Sequence, residues 1–180
     1  MALDHPTYVY GDGEQHHAEL KAFIPGIDIL DQDGGPTVHL EHGKRYTVRL
    51  IVVFNEDVEH AILGFRIHMP SGLVLYALQN TLRQFDIGGR KGQTLEVSFD
   101  WMCRLQAGQY ILSCGVGEVL DASNGLYPAP FNEIHIRNNV KTLTVTSDAV
   151  FGGVVDFEAG IRSRVLRDAA SSAARQSALV

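Results

Sequence analysis

The chain has few of the residues that metal sites, disulfide frameworks and nucleic-acid interfaces require. It contains 2 cysteines among 180 residues, Cys103 and Cys114, and the paired spacings of zinc sites are absent. The residues that follow Met1 do not resemble a secretion signal, so we expect free thiols in a reducing compartment. Basic residues number 15 against 21 acidic ones, a net charge of −6. Because a nucleic-acid binder needs lysine and arginine to displace counterions, we expect no nucleic-acid partner.

Long apolar runs and helical periodicity are also scarce. No run approaches the roughly 20 apolar residues that a membrane helix requires, so we expect a soluble protein. A helical pattern occurs only in residues 162–180, a tail rich in alanine, serine and arginine. With few large apolar residues to bury, this tail is either a loosely attached helix or disordered.

Most of the chain instead alternates apolar and polar residues, which is the pattern of half-buried strands. The strongest strand is predicted at residues 45–54, and two final strands are predicted near 140–145 and 150–161. About eight to ten short strands, separated by turn signals, indicate an all-β fold, a single antiparallel β-sandwich. We divide the chain into a lead-in segment (1–13), a sandwich (14–161) and the tail (162–180).

A hairpin at residues 62–81 is the centre of the functional prediction. Its turn is expected at residues 70–72, where proline, serine and glycine stand in succession. The apolar row of its first strand consists of Leu63, Phe65, Ile67 and Met69. The period of two then places Arg66 and His68 on the opposite, polar face.

This polar face suggests a surface that binds saccharides. Sugars are held by aromatic rings and planar polar side chains, and arginine also suits anionic groups. We expect Arg49 to share the non-core face with Arg66 and His68, with Tyr76 and Asn80 nearby. Trp101 has two interpretations, since its register places it in the core but a lone tryptophan can also stack on a sugar. The candidate carbohydrate-binding residues are Arg49, Arg66, His68, Tyr76, Asn80 and Trp101.

Catalysis and metal binding have weaker support in the sequence. Glu96 and Asp100 alternate on one strand face, at an expected separation of about 7 Å that suits an inverting glycosidase. Such alternation is also the ordinary outer face of a sheet, so we predict no enzyme activity and keep a glycoside hydrolase as an alternative. Asp31 and Asp33 in a turn suggest calcium, but the glutamate that closes an EF-hand loop is missing. We predict no metal and no cofactor.

Several short motifs occur in an order and spacing that resemble a known family. They are Tyr10-Gly-Asp-Gly-Glu14, Asp31-Gln-Asp-Gly34, Gly43, Gly64-Phe65-Arg66-Ile67, Ser71-Gly72, Asn80-Thr81 and Leu105-Gln-Ala-Gly-Gln-Tyr-Ile-Leu112. Together they resemble the C-terminal domain of the ATPase subunit of O-antigen polysaccharide ABC exporters, the Wzt-type carbohydrate-binding domain. The resemblance covers residues 8–161.

The resemblance implies an immunoglobulin-like antiparallel β-sandwich that recognises the capped non-reducing end of an O-antigen polysaccharide. It further implies a cytoplasmic location at the inner-membrane face, with the exporter's ATPase domain and transmembrane subunit as partners. The alternative function is a structural or dimerisation sandwich without a small ligand. A homodimer is expected through the C-terminal strand near 150–161, since its apolar side chains need a partner sheet and members of the family exchange this strand.

Overall fold

The structure is a computed structural model that describes residues 20–158 and residue 162. This part of the chain forms eight strands and one short 3-10 helix. The elements are β1 (Ala22–Leu30), β2 (His39–Glu41), β3 (Arg45–Phe54), β4 (Ala61–His68), β5 (Val74–Gln79), the 3-10 helix (Asn80–Arg83), β6 (Thr94–Met102), β7 (Gly108–Val119) and β8 (Phe131–Thr146).

The strands form two sheets that enclose one core. The three-stranded sheet has the order β1-β3-β6, and the five-stranded sheet has the order β2-β8-β7-β4-β5. Strand β2 runs parallel to β8, and the other neighbouring pairs are antiparallel. The predicted immunoglobulin-like β-sandwich is confirmed.

Alternation along the strands determines which side chains enter the core. Every second residue of β3 from Tyr46 to Phe54 is buried, and so are the inward residues of β4 and β7. The centre of the core contains an aromatic contact in which the rings of Phe65 and Phe99 lie 5.6 Å apart at 65°. Burial of one such large apolar side chain contributes about 1.5–3 kcal/mol, so these rows account for much of the stability.

The hairpin predicted at residues 62–81 is present as β4 and β5. In its turn, the Met69 N–H donates to the Leu73 carbonyl at 2.9 Å and the Gly72 N–H donates to the Met69 carbonyl at 2.8 Å. Gly72 has a φ of 90°, a conformation that glycine adopts without a steric penalty. The turn residues in the sequence therefore set the reversal that brings β5 beside β4.

The prediction of a strand at residues 150–161 is wrong for the part that the structure describes. Residues 150–158 contain no strand, and Val155 makes only one isolated bridge, with Leu105. Gly153 has a φ of 99°, which bends the chain and interrupts the extended run. The end of the predicted strand, residues 159–161, lies outside the described residues.

Residues 147–158, here called the C-terminal strap, nevertheless pack against the segment before β7. The Gln106 N–H donates to the Val154 carbonyl at 2.9 Å, and the Asp156 N–H donates to the Arg104 carbonyl at 2.9 Å. An ion pair joins Arg104 Nη2 to Glu158 Oε1 at 2.7 Å. The predicted lead-in at 1–13 and almost all of the predicted tail at 162–180 lie outside the described residues, so those boundaries remain predictions.

Candidate functional site

The two arginines that were expected to share one face lie in different sheets. Arg49 lies on β3 in the three-stranded sheet, whereas Arg66 lies on β4 in the five-stranded sheet. Both alternate with core residues, so they lie on opposite outer surfaces of the sandwich. The expectation of a common face is wrong. Although β3 and β4 are consecutive, they do not pair, because the chain crosses from one sheet to the other between them.

Arg49 is engaged by carboxylates of its own sheet. Its Nη2 lies 2.9 Å from Asp28 Oδ2, and its Nη1 lies 3.9 Å from Glu96 Oε2. Lys141 Nζ lies 3.6 Å from Asp28 Oδ1. These contacts give the Arg49 guanidinium a role within the sheet surface.

His68 is buried, so its expected exposure to solvent is wrong. Its Nδ1 lies 3.1 Å from the Met69 carbonyl oxygen and its Nε2 lies 3.1 Å from Ser113 Oγ. Because a carbonyl oxygen only accepts, Nδ1 carries a proton, and in the neutral ring Nε2 accepts from the Ser113 hydroxyl. The same Oγ accepts the Asn139 N–H at 3.0 Å, so the imidazole is part of a buried network that joins β4, β7 and β8.

Asn80 is also buried, with an exposed fraction of 4%. Its Oδ1 accepts the Leu63 N–H at 2.8 Å, and its Nδ2 donates to the carbonyls of Ala61 at 2.9 Å and Phe85 at 2.8 Å. These bonds use both amide donors of the side chain, so the expected place of Asn80 on the polar face is wrong. It holds the end of β5 against β4.

Tyr76 and Trp101 face the interior. Tyr76 stands opposite the core residue Ile67, which contradicts its expected place on the polar face, and its ring lies 6.0 Å from that of Phe65. Because it belongs to an edge strand, Tyr76 is still 39% exposed. The Trp101 ring lies 6.5 Å from Phe65, and its side chain is buried, so the core interpretation of Trp101 applies.

Arg66 keeps the exposed, outward position that was expected, and it borders a groove. We call this groove, on the outer face of β4, β5, β7 and β8, the outer groove; its volume is about 190 Å³. Its polar side chains are Arg66, Gln79, Ser113 and Glu133, and its large apolar ones include Ile62, Leu82, Phe131 and Ile136. Arg66 donates one hydrogen bond from Nη2 to Asn138 Oδ1.

Glycines form the floor of the outer groove. Gly64 of β4 stands opposite Gly115 of β7. A Cβ at Gly64 would lie 2.5 Å from the Leu78 carbonyl oxygen, and one at Gly115 would lie 2.7 Å from Ile136 Cδ1. The contact with backbone requires glycine at position 64, whereas at position 115 the contact is with the tip of a side chain that can move. The missing side chains at both positions keep the floor low.

Apolar side chains remain exposed around this floor. Phe131 is 53% exposed, and Leu82 and Ile136 are each 41% exposed. A cluster of exposed apolar side chains around a concavity is typical of a binding surface. The sequence-based prediction missed these residues because none of them belongs to the hairpin's alternating rows. The alternation of Gly115 with Gly117 in an otherwise apolar strand was the signal that could have located the groove.

The described residues offer little for nucleophilic or metal chemistry. Burial raises the pKa of Cys114 to about 12, so its thiol stays protonated near neutral pH. Asp31 Oδ1 accepts the N–H groups of Asp33 at 3.0 Å and Gly35 at 2.8 Å, which explains the acidic turn without a cation. Within residues 20–158, no group of three or more His, Cys, Asp or Glu side chains could hold a metal ion.

The carboxylate pair on β6 has the wrong spacing for a glycosidase. Glu96 and Asp100 are four residues apart, with Ser98 between them on the same face, which corresponds to about 13 Å along a strand. The expected 7 Å was too short, and about 13 Å exceeds the 6.5–9.5 Å that inverting enzymes use. Asp100 Oδ1 also accepts a hydrogen bond from Thr47 Oγ1 at 2.6 Å.

Together, the fold and the outer groove define a two-layer β-sandwich with a candidate binding surface on its larger sheet. The chain belongs to the Wzt C-terminal domain family, whose model matches residues 14–157. No helix in the described part of the chain is both long and apolar enough to cross a membrane.

A solved structure shows the same fold. A crystal structure of the C-terminal domain of Wzt is 22% identical, with a TM-score of 0.71, and the match covers 81% of this chain and 86% of that one. A CARDB domain from Pyrococcus furiosus, crystallised with di-metal ions, is 14% identical with a TM-score of 0.41 over 71% of this chain and 90% of that one. The comparison with curated protein sequences found no match.

Proposed function

We propose that the protein is a non-catalytic carbohydrate-binding domain that recognises the capped non-reducing end of an O-antigen polysaccharide. In this role it couples chain termination to export. It acts on the cytoplasmic side of the inner membrane, beside the ATPase domain and the transmembrane subunit of an ABC transporter. Membership of the Wzt C-terminal domain family supports this setting.

The observation that carries the proposal is the outer groove, which combines exposed apolar side chains with planar polar ones. A pyranose ring has C–H faces that stack on aromatic rings, and hydroxyl groups that need donors and acceptors. Phe131 offers an exposed ring, and Arg66, Gln79 and Glu133 offer the polar groups.

The test compares two exposed phenylalanines. Phe131, which is 53% exposed, lines the outer groove, whereas Phe85, which is 65% exposed, lies outside it. Calorimetric titration with capped polysaccharide from the source organism's envelope should show that Phe131→Ala weakens binding about tenfold or more, by analogy with other ring-stacking contacts. Phe85→Ala should bind like the unchanged protein.

Uncapped polysaccharide is the second arm of this experiment. It should bind more weakly than the capped polymer, since the cap is proposed to occupy the groove. Equal binding of both polymers would remove the end-recognition part of the proposal. A folded protein that binds neither polymer would instead favour a structural or dimerisation sandwich.

We also propose a homodimer in which the C-terminal strap is exchanged between two copies. Within one chain, the strap makes two backbone hydrogen bonds to the other described residues, and the same segment of a second copy could equally provide them. Val150 and Phe157 are 102% and 88% exposed, so the strap carries apolar surface that the described part of its own chain leaves uncovered. Burial of this surface against a second copy favours association.

Light scattering tests the homodimer. One chain has a mass of 19.8 kDa, so a dimer should scatter as twice that mass at micromolar concentration. The double variant Val150→Glu/Phe157→Glu should be monomeric. The control Leu73→Glu, at a hairpin position that is 60% exposed, should remain a dimer. A single-chain mass for the unchanged protein would exclude the dimer.

A further inference from the structure

The outer groove has a distribution of charge that restricts the kind of saccharide it can hold. Of its lining residues, Arg66 and Glu133 are the charged ones, and they carry opposite signs. Neither makes an ion pair with another described residue. Both groups are exposed, so both remain available to a ligand.

The strand register places these two charges at opposite ends of the groove. Arg66 stands opposite Ser113, and Glu133 stands opposite Gly117. These two partners are four residues apart on β7, which corresponds to about 13 Å. Between the charges lie the glycine floor, the neutral amide of Gln79 opposite Gly64, and the apolar side chain of Ile136, so the middle of the groove has no charged group.

An anionic group gains from Arg66, but Glu133, about 13 Å away, offers it no partner, and a cationic group is in the opposite position. A neutral, hydroxyl-rich ligand can use both ends, because a carboxylate accepts from hydroxyl groups and a guanidinium donates to their oxygens. The groove is therefore matched to an uncharged sugar.

The apolar walls of the groove add a second restriction. Leu82, Phe131 and Ile136 are exposed on these walls and offer no hydrogen-bonding side-chain group. A hydroxyl group placed against them loses water without gaining a partner, whereas a methyl group loses nothing and buries apolar surface.

We propose that the groove selects an uncharged saccharide with a methyl-bearing substituent, such as a 6-deoxyhexose, in preference to its hydroxymethyl or phosphorylated counterparts. This inference rests on the proposed glycan-binding function and specifies its ligand class. The Arg66 guanidinium then binds neutral hydroxyl or ring oxygens, and the apolar walls contact the methyl group.

The first experiment uses pairs of methyl glycosides that differ only at C6. The pairs are D-rhamnose with D-mannose, D-fucose with D-galactose, and D-quinovose with D-glucose, each parent also being tested as its 6-phosphate. Chemical-shift titration should show one 6-deoxy sugar binding about tenfold more tightly than its parent, since an unpaired buried hydroxyl costs about that much affinity. The 6-phosphates should bind no better than the parents.

A matched pair of variants locates the selectivity. Leu82→Ser lies in the groove and should reduce the preference for the 6-deoxy sugar, because it offers the parent's hydroxyl a partner. Leu73→Ser lies at the hairpin turn outside the groove and should leave the preference unchanged.

Ionic strength supplies the second experiment, with the envelope polysaccharide as ligand. Affinity should change less than about twofold between roughly 50 and 500 mM NaCl, because screening weakens charge–charge attraction and hardly affects neutral contacts. Tighter binding of a 6-phosphate, a steep loss of affinity with salt, or no 6-deoxy preference in any pair would overturn the inference. If the polysaccharide still binds in a Phe131-dependent way, the proposed function survives that result; if it does not bind, both fail.

Discussion

The two outer faces of the sandwich differ in how their polar groups are used. On the three-stranded face, Asp28 stands opposite Arg49 and Thr47 stands opposite Asp100, and both pairs are bonded. On the five-stranded face, Arg66 bonds only the neutral amide of Asn138 among the described residues, and Glu133 has no ion-pair partner there.

This difference shows that the count of polar residues on a face is a poor guide to binding. On the three-stranded face, neighbouring side chains already bond Asp28, Arg49 and Asp100. On the five-stranded face, Arg66 and Glu133 lie beside a glycine floor and uncovered apolar side chains. A ligand gains most where donors, acceptors and apolar surface lack partners of their own.

The largest effect is expected at the core residue between the faces. Phe65→Ala should lower the free energy of unfolding by about 3–5 kcal/mol, because Phe65 is 3% exposed and contacts the rings of Phe99 and Trp101. Urea denaturation measures this loss. Leu82→Ala, at the groove wall, is the control and should stay within about 0.5 kcal/mol. An unchanged denaturation midpoint for Phe65→Ala would mean that the inner and outer faces of β4 have been reversed.

A smaller loss of stability is expected at Asn80. Asn80→Ala should cost about 2–3 kcal/mol, because it leaves the buried Leu63 N–H and two carbonyl groups without their partner. Asn124→Ala, in an exposed loop, should cost little. Polysaccharide affinity of the folded Asn80 variant should stay near that of the unchanged protein. Weaker binding without a loss of stability would instead return Asn80 to the binding site.

The arginines test the contrast between the faces directly. Arg66→Ala should weaken polysaccharide binding about tenfold, or 1.4 kcal/mol, because it removes donors at one end of the outer groove. Arg49→Ala should leave affinity unchanged, since its guanidinium bonds Asp28 on the opposite face. Calorimetric titration of both variants gives the comparison. If Arg49→Ala is the variant that loses affinity, the ligand binds the three-stranded face.

The smallest effect concerns an exposed pair beside β4. The hydrogen bond between His60 Nδ1 and Asp86 raises the pKa of His60, with the charge of Asp86 adding to the shift. The pair therefore stabilises the fold fully below the unfolded pKa of about 6.5, and this contribution is lost as the pH rises through the folded value. The free energy of unfolding should differ more between the unchanged protein and the Asp86→Asn variant at about pH 5.5 than at about pH 8. Equal differences at both pH values would contradict the pairing.

The fold was predictable because its strands alternate clearly. The inward rows of β3, β4, β6 and β7 follow from period-two patterns, and the β4–β5 turn follows from residues 70–72. The sheet order did not follow, since local alternation does not say whether consecutive strands pair or cross between sheets. For this reason the expected neighbourhood of Arg49 and Arg66 was wrong.

The candidate site was less predictable than the fold. Arg66 and His68 were both placed by the alternation of β4, and Asn80 was assigned from its polarity. Neither alternation nor polarity reveals a buried partner, and the side chains of His68 and Asn80 are bonded by backbone or side-chain groups distant in sequence. The groove walls join residues as far apart as Ile62 and Ile136, a proximity that depends on the tertiary pairing of β4, β7 and β8.

The glycine floor has a consequence for how a new ligand preference could arise. A side chain at Gly64 would strike the backbone of β5, so the shape of the floor there is tied to the integrity of the sheet. The walls have no such constraint, because exposed positions such as Leu82, Phe131 and Ile136 tolerate substitution at a cost within about 0.5 kcal/mol. Substitutions in the walls can therefore change the sugar specificity of this fold while the glycine floor stays the same.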